Sequence, residues 1–209
     1  MAFTFNFSQL PALIPKLLPT KNLSFCKRLF SARRLRRFNL HHDWVVNISG
    51  TNFSSDINGN VLLPKQHLGK LETFDGASVP SPWLVTFLTF GVLRPLGIML
   101  TASIVHDFAF RYGYLLVQKD DGEYQPTNIQ RREADELFRL TMNYVNQTPV
   151  WAFIAWFYVR FGWLWVPYAG KLYRTKPPLL VIGTGCLFFG GLALLTIKVI
   201  MAVLNSLFV

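Results

Sequence analysis

Nineteen consecutive residues, Leu179 to Ile197, carry no charge, and they begin directly after Pro177-Pro178. About 20 such residues in a helix, at 1.5 Å of rise each, cross the hydrocarbon core of a bilayer. The run is apolar all round the helix, whereas a helix on a soluble core is apolar along one stripe. It therefore predicts a transmembrane helix over 179–203. Lys198 interrupts the run, and its ammonium can snorkel to the far interface or pair within an oligomer. Lys171, Arg174 and Lys176 form a basic, Pro-containing linker over 171–178. The positive-inside bias then predicts a single-pass membrane protein, with its N-terminal domain cytoplasmic and its C-terminus across the membrane. Gly183 and Gly190 fall on one helix face and permit a second helix, from a membrane protein partner or a homo-oligomer, to pack closely.

The rest of the chain is unevenly charged. Residues 1–42 hold Lys16, Lys21, Lys27, Arg28, Arg33, Arg34, Arg36 and Arg37 and no acid, against a net charge of +10 for the whole chain. Phe25, Leu29, Phe30, Leu35 and Phe38 are interleaved with these cations. That pattern fits an amphipathic arm on anionic membrane lipid, a disordered basic tail, or an organelle transit peptide. No nucleic-acid-binding motif accompanies the charge, so nucleic acid ranks below lipid as a partner. Cys26 and Cys186 stand alone in the arm and the tail, which excludes a disulfide framework. The domain over 43–170 must hold together by packing.

Within that domain the patterning predicts a mainly α fold with a small N-terminal β-hairpin. Trp44 to Ile48 and Val61 to Leu63 are the β-prone runs, with Asn58-Gly59 favouring a tight turn. Leu84 to Val105 is apolar but broken by Arg94-Pro95 and Gly97, which predicts two helices, the second running from about Gly97 to Tyr112. A polar loop containing Asp120-Asp121-Gly122 follows. Thr127 with Gln130 makes a capping box for a helix over 128–146. Trp151 to Tyr168 holds four tryptophans around Arg160, a density that suits either a headgroup-level helix or an aromatic core helix.

His106 and Asp107 sit inside an apolar helix, where an ionisable group is costly unless it is paired. Adjacent helical residues project about 100° apart, so the two need different partners. Asp135 borders the apolar face of the next helix. Two antiparallel helices would bring it to His106, fixing the tautomer and raising the basicity of the ring. Arg131 and Arg139, four residues away on either side, are the competing partners, and spacing alone leans toward them. Asp107 could meet the Asp75-Gly76 loop, giving two carboxylates and loop carbonyls of the kind Ca²⁺ accepts. His41, His42 and His67 have no metal spacing and read as surface residues.

Three ordered motifs carry a resemblance: Phe74-Asp75-Gly76-Ala77-Ser78-Val79-Pro80, then Ile104 to Phe110 around His106-Asp107, then Arg131 or Arg132 with Ala134-Asp135-Glu136-Leu137-Phe138. Together they resemble the DUF1353 family of phages and bacteria over roughly residues 44–165. This chain has Phe110 where that family usually has tyrosine. The family brings no established activity. His106-Asp107 followed on a second helix by Asp135 and Phe138 is also similar to the two-helix core of secreted phospholipases A2, especially the bacterial type. That similarity implies a water-activating His106, an orienting Asp135 and a Ca²⁺ ligand in Asp107, with Asp75-Gly76 replacing a calcium loop that is not visible here. Two functions follow. One is a membrane-anchored hydrolase of lipid or another ester at the membrane surface. The other is a non-enzymatic membrane or phage-associated assembly protein with a structural His/Asp network.

Overall fold

The computed structural model describes residues 2–16, 37–74, 97–162 and 177–207. Alternation of apolar and polar residues builds its largest sheet. Trp44, Val46 and Ile48 on β4 (Trp44–Ser49) are fully buried while Val45 between them is exposed. Val61 and Leu63 on β5 (Gly59–Leu63) and Leu115 and Val117 on β9 (Tyr114–Gln118) are buried in the same core. β1 (Thr4–Phe7) and β10 (Tyr124–Asn128) complete an antiparallel sheet in the order β1-β4-β5-β9-β10. A second sheet joins β2 (Leu13–Lys16), β3 (Arg37–Leu40) and β8 (Thr73–Phe74), and β6 (Gln66–His67) pairs with β7 (Lys70–Leu71).

The helices cover one face of this core. α1 (Leu100–Tyr112) contributes Ile104, Val105, Phe108 and Ala109 to it, and α2 (Arg131–Asn146) adds Ala134 and Leu137. Full burial of each such aliphatic or aromatic side chain favours the fold by about 1.5–3 kcal/mol. α1 ends at Gly113, whose φ of 79° is the left-handed conformation that a helix stop favours and that glycine adopts without strain. α3 (Pro149–Phe161) begins on proline, whose missing N–H has no helical partner to lose there. Its Ala152, Ala155 and Val159 pack with Met99, Ala102, Phe138 and Met142 in a second cluster. Up to Phe161 the aromatic segment is thus a core helix on one side, and residues 163–168 lie outside the described residues.

A mainly α fold is therefore not what forms. Among the described residues there are ten strands in three antiparallel sheets beside four helices. Three strands arise within residues 1–42, where a basic arm was expected: β1 pairs with β4 in the register Phe5↔Ile48, and β2 pairs with β3. β9 and β10 take up much of the expected polar loop, with Asp120-Asp121-Gly122 as their turn. The β4–β5 hairpin forms as expected, in the register Val46↔Val61, but not through a tight turn. Its connection runs over 50–58 and is closed by Asn58, whose Oδ1 accepts from the Thr51 N–H at 3.1 Å and the Thr51 hydroxyl at 3.0 Å. The helix expected over 128–146 starts at Arg131, because Tyr124 to Asn128 are committed to β10.

The expected membrane anchor is also corrected. α4 (Leu179–Leu207) occupies the position, yet among the described residues no helix is long and apolar enough to cross a membrane. The first turns of α4 run over Leu179–Phe188. Within that run one face is turned to protein: Val181 and Gly185 are buried, and a Cβ at Gly185 would stand 2.5 Å from Cδ2 of Phe161. The single-pass membrane localisation and the cytoplasmic placement of the domain rested on that span and fall with it.

Candidate functional site

Each of α1, α2 and α3 delivers one charged or titratable side chain to a single point. His106 Nε2 lies 2.9 Å from Asp135 Oδ1, and Arg160 Nη1 donates to Asp135 Oδ2 at 3.2 Å. The packing of α1 against α2 brings the distant His106 to Asp135, while Arg131, four residues back, stays within electrostatic reach of the same carboxylate. Arg139 pairs instead with Glu136. His106 is 8% exposed and Asp135 2%. A carboxylate buried to that degree needs both oxygens engaged, and the two contacts provide this.

Aromatic rings fix the imidazole plane. Phe110 stacks on the His106 ring at 5.9 Å and 18°, and Phe138 meets it edge-on at 5.6 Å. The Arg131 guanidinium lies over the Phe110 ring, 5.2 Å from its centre. Burial pushes Arg131 below the usual guanidinium range, and the charge of Asp135 works against that shift. Asp135 Oδ1 engages Nε2, which leaves Nδ1 as the ring nitrogen for a reacting proton. Asp135, Arg131 and Arg160 also line a cleft of about 1330 Å³.

The proposed metal pair fares differently. Asp107 is buried beside His106 on α1, while Asp75 lies outside the described residues. Among the described residues no three His, Cys, Asp or Glu side chains are grouped to hold a metal ion. The expected Ca²⁺ site, which pairs Asp107 with Asp75, therefore falls partly outside the described residues.

Two further networks were not anticipated. Glu133 accepts from the Ser54 N–H at 2.7 Å and its hydroxyl at 2.6 Å, from Ser55 through both its N–H and its hydroxyl, and from the Gln130 N–H at 3.0 Å. Burial raises the Glu133 carboxyl, but these bonds outweigh it and hold the group below the usual carboxylate range. The capping box of α2 is thus Gln130 with Glu133, one turn later than expected. Glu72, 1% exposed, pairs with Arg111 Nη1 at 2.6 Å and accepts from the Tyr112 hydroxyl. Burial and that hydrogen bond push Tyr112 up to about 12. His67, read as a surface residue, sits 2.7 Å from the Tyr114 hydroxyl against Phe108 and Tyr112.

Sequence signals existed for part of this. Arg160 is a cation in an apolar helix, which by itself asks for a buried acid. Glu133 and Ser54 are 79 residues apart, and nothing local connects them. No curated protein and no solved structure matches the chain, and nothing found supports the similarity to phospholipases A2. Residues 65–159, which span His67, His106, Asp107 and Asp135, match a family described as protein of unknown function (DUF1353), a narrower stretch than the motifs suggested. The family match thus covers that stretch of the chain and bears out the resemblance to DUF1353.

Proposed function

We propose that this protein is a hydrolase in which His106 is the general base and Asp135 its positioning partner. The 2.9 Å contact between His106 Nε2 and Asp135 Oδ1 carries this reading. With Nε2–H donated to the carboxylate, the Nδ1 lone pair takes a proton from water as that water attacks an ester carbonyl. Asp135 stabilises the imidazolium that forms, and Arg160 keeps the carboxylate turned toward the ring. The imidazolium then returns its proton to the alkoxide as the tetrahedral intermediate breaks its bond to the leaving group. The products are an acid and an alcohol, and the base is restored.

The test is ester hydrolysis by the purified full chain on a panel of short-chain aryl esters, beside His106→Asn and Asp135→Asn. Loss of a general base lowers the rate by about 10²–10⁴-fold. His106→Asn should lose that rate, and Asp135→Asn should lower it. A specific observation favours a second reading, a structural network: both partners are nearly sealed, and both Asp135 oxygens are satisfied. On that reading His106→Asn melts at lower temperature and no ester is cleaved by either protein.

A further inference from the structure

The cleft that Asp135 lines carries three carboxylates, Glu133, Asp135 and Glu136, and three guanidinium groups, Arg131, Arg132 and Arg160. The two sets are not equally committed. Glu133 is engaged by Ser54, Ser55 and Gln130, Asp135 by His106 and Arg160, and Glu136 by Arg139. Every acid in the wall is thus held by the protein itself.

The cations are less fully used. Arg160 donates one of its five N–H groups to Asp135 and rests 5.7 Å from the centre of the Trp156 ring. Arg132 is exposed, and among the described residues it has no ion pair. In the same wall the indole N–H of Trp156 is a buried donor without an acceptor among the described residues. An indole nitrogen can only donate, so an acceptor is what would satisfy it. The uncommitted polar capacity of the cleft is therefore cationic and donating. The same lining includes apolar side chains, Phe53, Leu140, Leu179 and Leu180.

We infer that this cleft binds an amphiphilic organic anion, a carboxylate or phosphate monoester whose charged group meets Arg132 and Arg160 and whose apolar group lies against Phe53 and Leu180. Resting on the hydrolase reading, this names the substrate class: an ester bearing an acidic group. A guanidinium fork matches either anion with two parallel hydrogen bonds. Arg160 then joins the anion site to Asp135, so a bound acid group sits one side chain away from the dyad.

Calorimetric titration of the full chain tests this with butyl phosphate, butyrate, inorganic phosphate and butanol as probes. At least one of the two organic anions should bind, with affinity that falls as salt rises. The comparison of the two tells which acidic group is preferred. Arg132→Gln, an exposed change that should leave the melting temperature unmoved, should weaken binding by about tenfold or more. Inorganic phosphate should bind about tenfold more weakly than butyl phosphate, and butanol should give no heat. Absence of binding by both organic anions, equal binding by Arg132→Gln, or butanol binding as tightly as they do would overturn the inference. So would inorganic phosphate binding as well as butyl phosphate. The same titration on His106→Asn separates the two proposals. Anion binding without any ester hydrolysis by the parent refutes the base and leaves the anion site standing. Hydrolysis of neutral esters without anion binding refutes the anion site alone.

Discussion

Replacement of Glu133 by alanine removes one acceptor group that Ser54, Ser55 and Gln130 share. The two serine hydroxyls can rotate toward water, but the three backbone N–H groups are fixed in direction. Of these, the Ser54 and Gln130 donors, at 2.7 and 3.0 Å, lose the better bonds, while the Ser55 N–H at 3.3 Å loses little. A buried donor left without a partner costs about 1–3 kcal/mol, and the adjacent cleft lets water relieve part of that. The expected loss is about 2–4 kcal/mol. In a chain of this length each kcal/mol lowers Tm by about 2–4 °C, so the melt should fall by about 4–16 °C. Glu133→Gln retains one carbonyl acceptor and should lose about half as much.

The pH dependence has a definite sign. The folded-state pKa of Glu133 lies below its unfolded value, so the stability it contributes is present above about pH 4.3 and is lost as pH falls through the folded value. Thermal melts of parent, Glu133→Ala and Glu133→Gln from pH 7 to pH 3 check both points. The parent should lose more stability than either variant between pH 5 and pH 3. A Glu133→Ala melt within about 1 °C of the parent at pH 7 would refute the reasoning.

Gly185→Ala places a methyl group against the Phe161 ring and should destabilise the packing of α4 on α3 by about 1–3 kcal/mol, whereas Gly183→Ala, with nothing within 4 Å, should melt like the parent. Gly50→Ala should also be destabilising, since Gly50 has a φ of 72° and a Cβ there would stand 2.7 Å from the carbonyl carbon of Ala2; chemical denaturation reads the loss. Tyr112 should ionise near pH 12 in an absorbance titration, and Glu72→Gln should bring that midpoint down. Because the folded value exceeds the unfolded one, the stability Tyr112 contributes is present below about pH 10 and is lost as pH rises through the folded value.

The dyad was legible because His106 and Asp135 break otherwise apolar helix faces, and a charge in such a place needs a partner. Its choice of partner was not, since spacing leaned toward Arg131 and Arg139. What decides it is the approach of α1 to α2, and that is set by the β9–β10 hairpin between them. That hairpin was hidden by Asp120-Asp121-Gly122, which drew attention to the turn and away from the short run Tyr114 to Gln118. The N-terminal strand carries a local signal of its own. Phe3, Phe5 and Phe7 alternate with Thr4 and Asn6, a period-two pattern overshadowed by the cations that follow from Lys16 onward. α4 misled in the opposite way: its apolar run was plain, but the docking of Val181 and Gly185 on α3 is a tertiary contact without a local signature.

The central claim is that His106 is a base held in one tautomer by Asp135. Long-range ¹H–¹⁵N correlation of the histidine rings at pH 8 reads this directly, with His106→Asn assigning the signal among the four histidines. The account expects a neutral His106 ring with its proton on Nε2 and an imine-type Nδ1, and a redistribution between tautomers in Asp135→Asn. A proton resident on Nδ1 would contradict it.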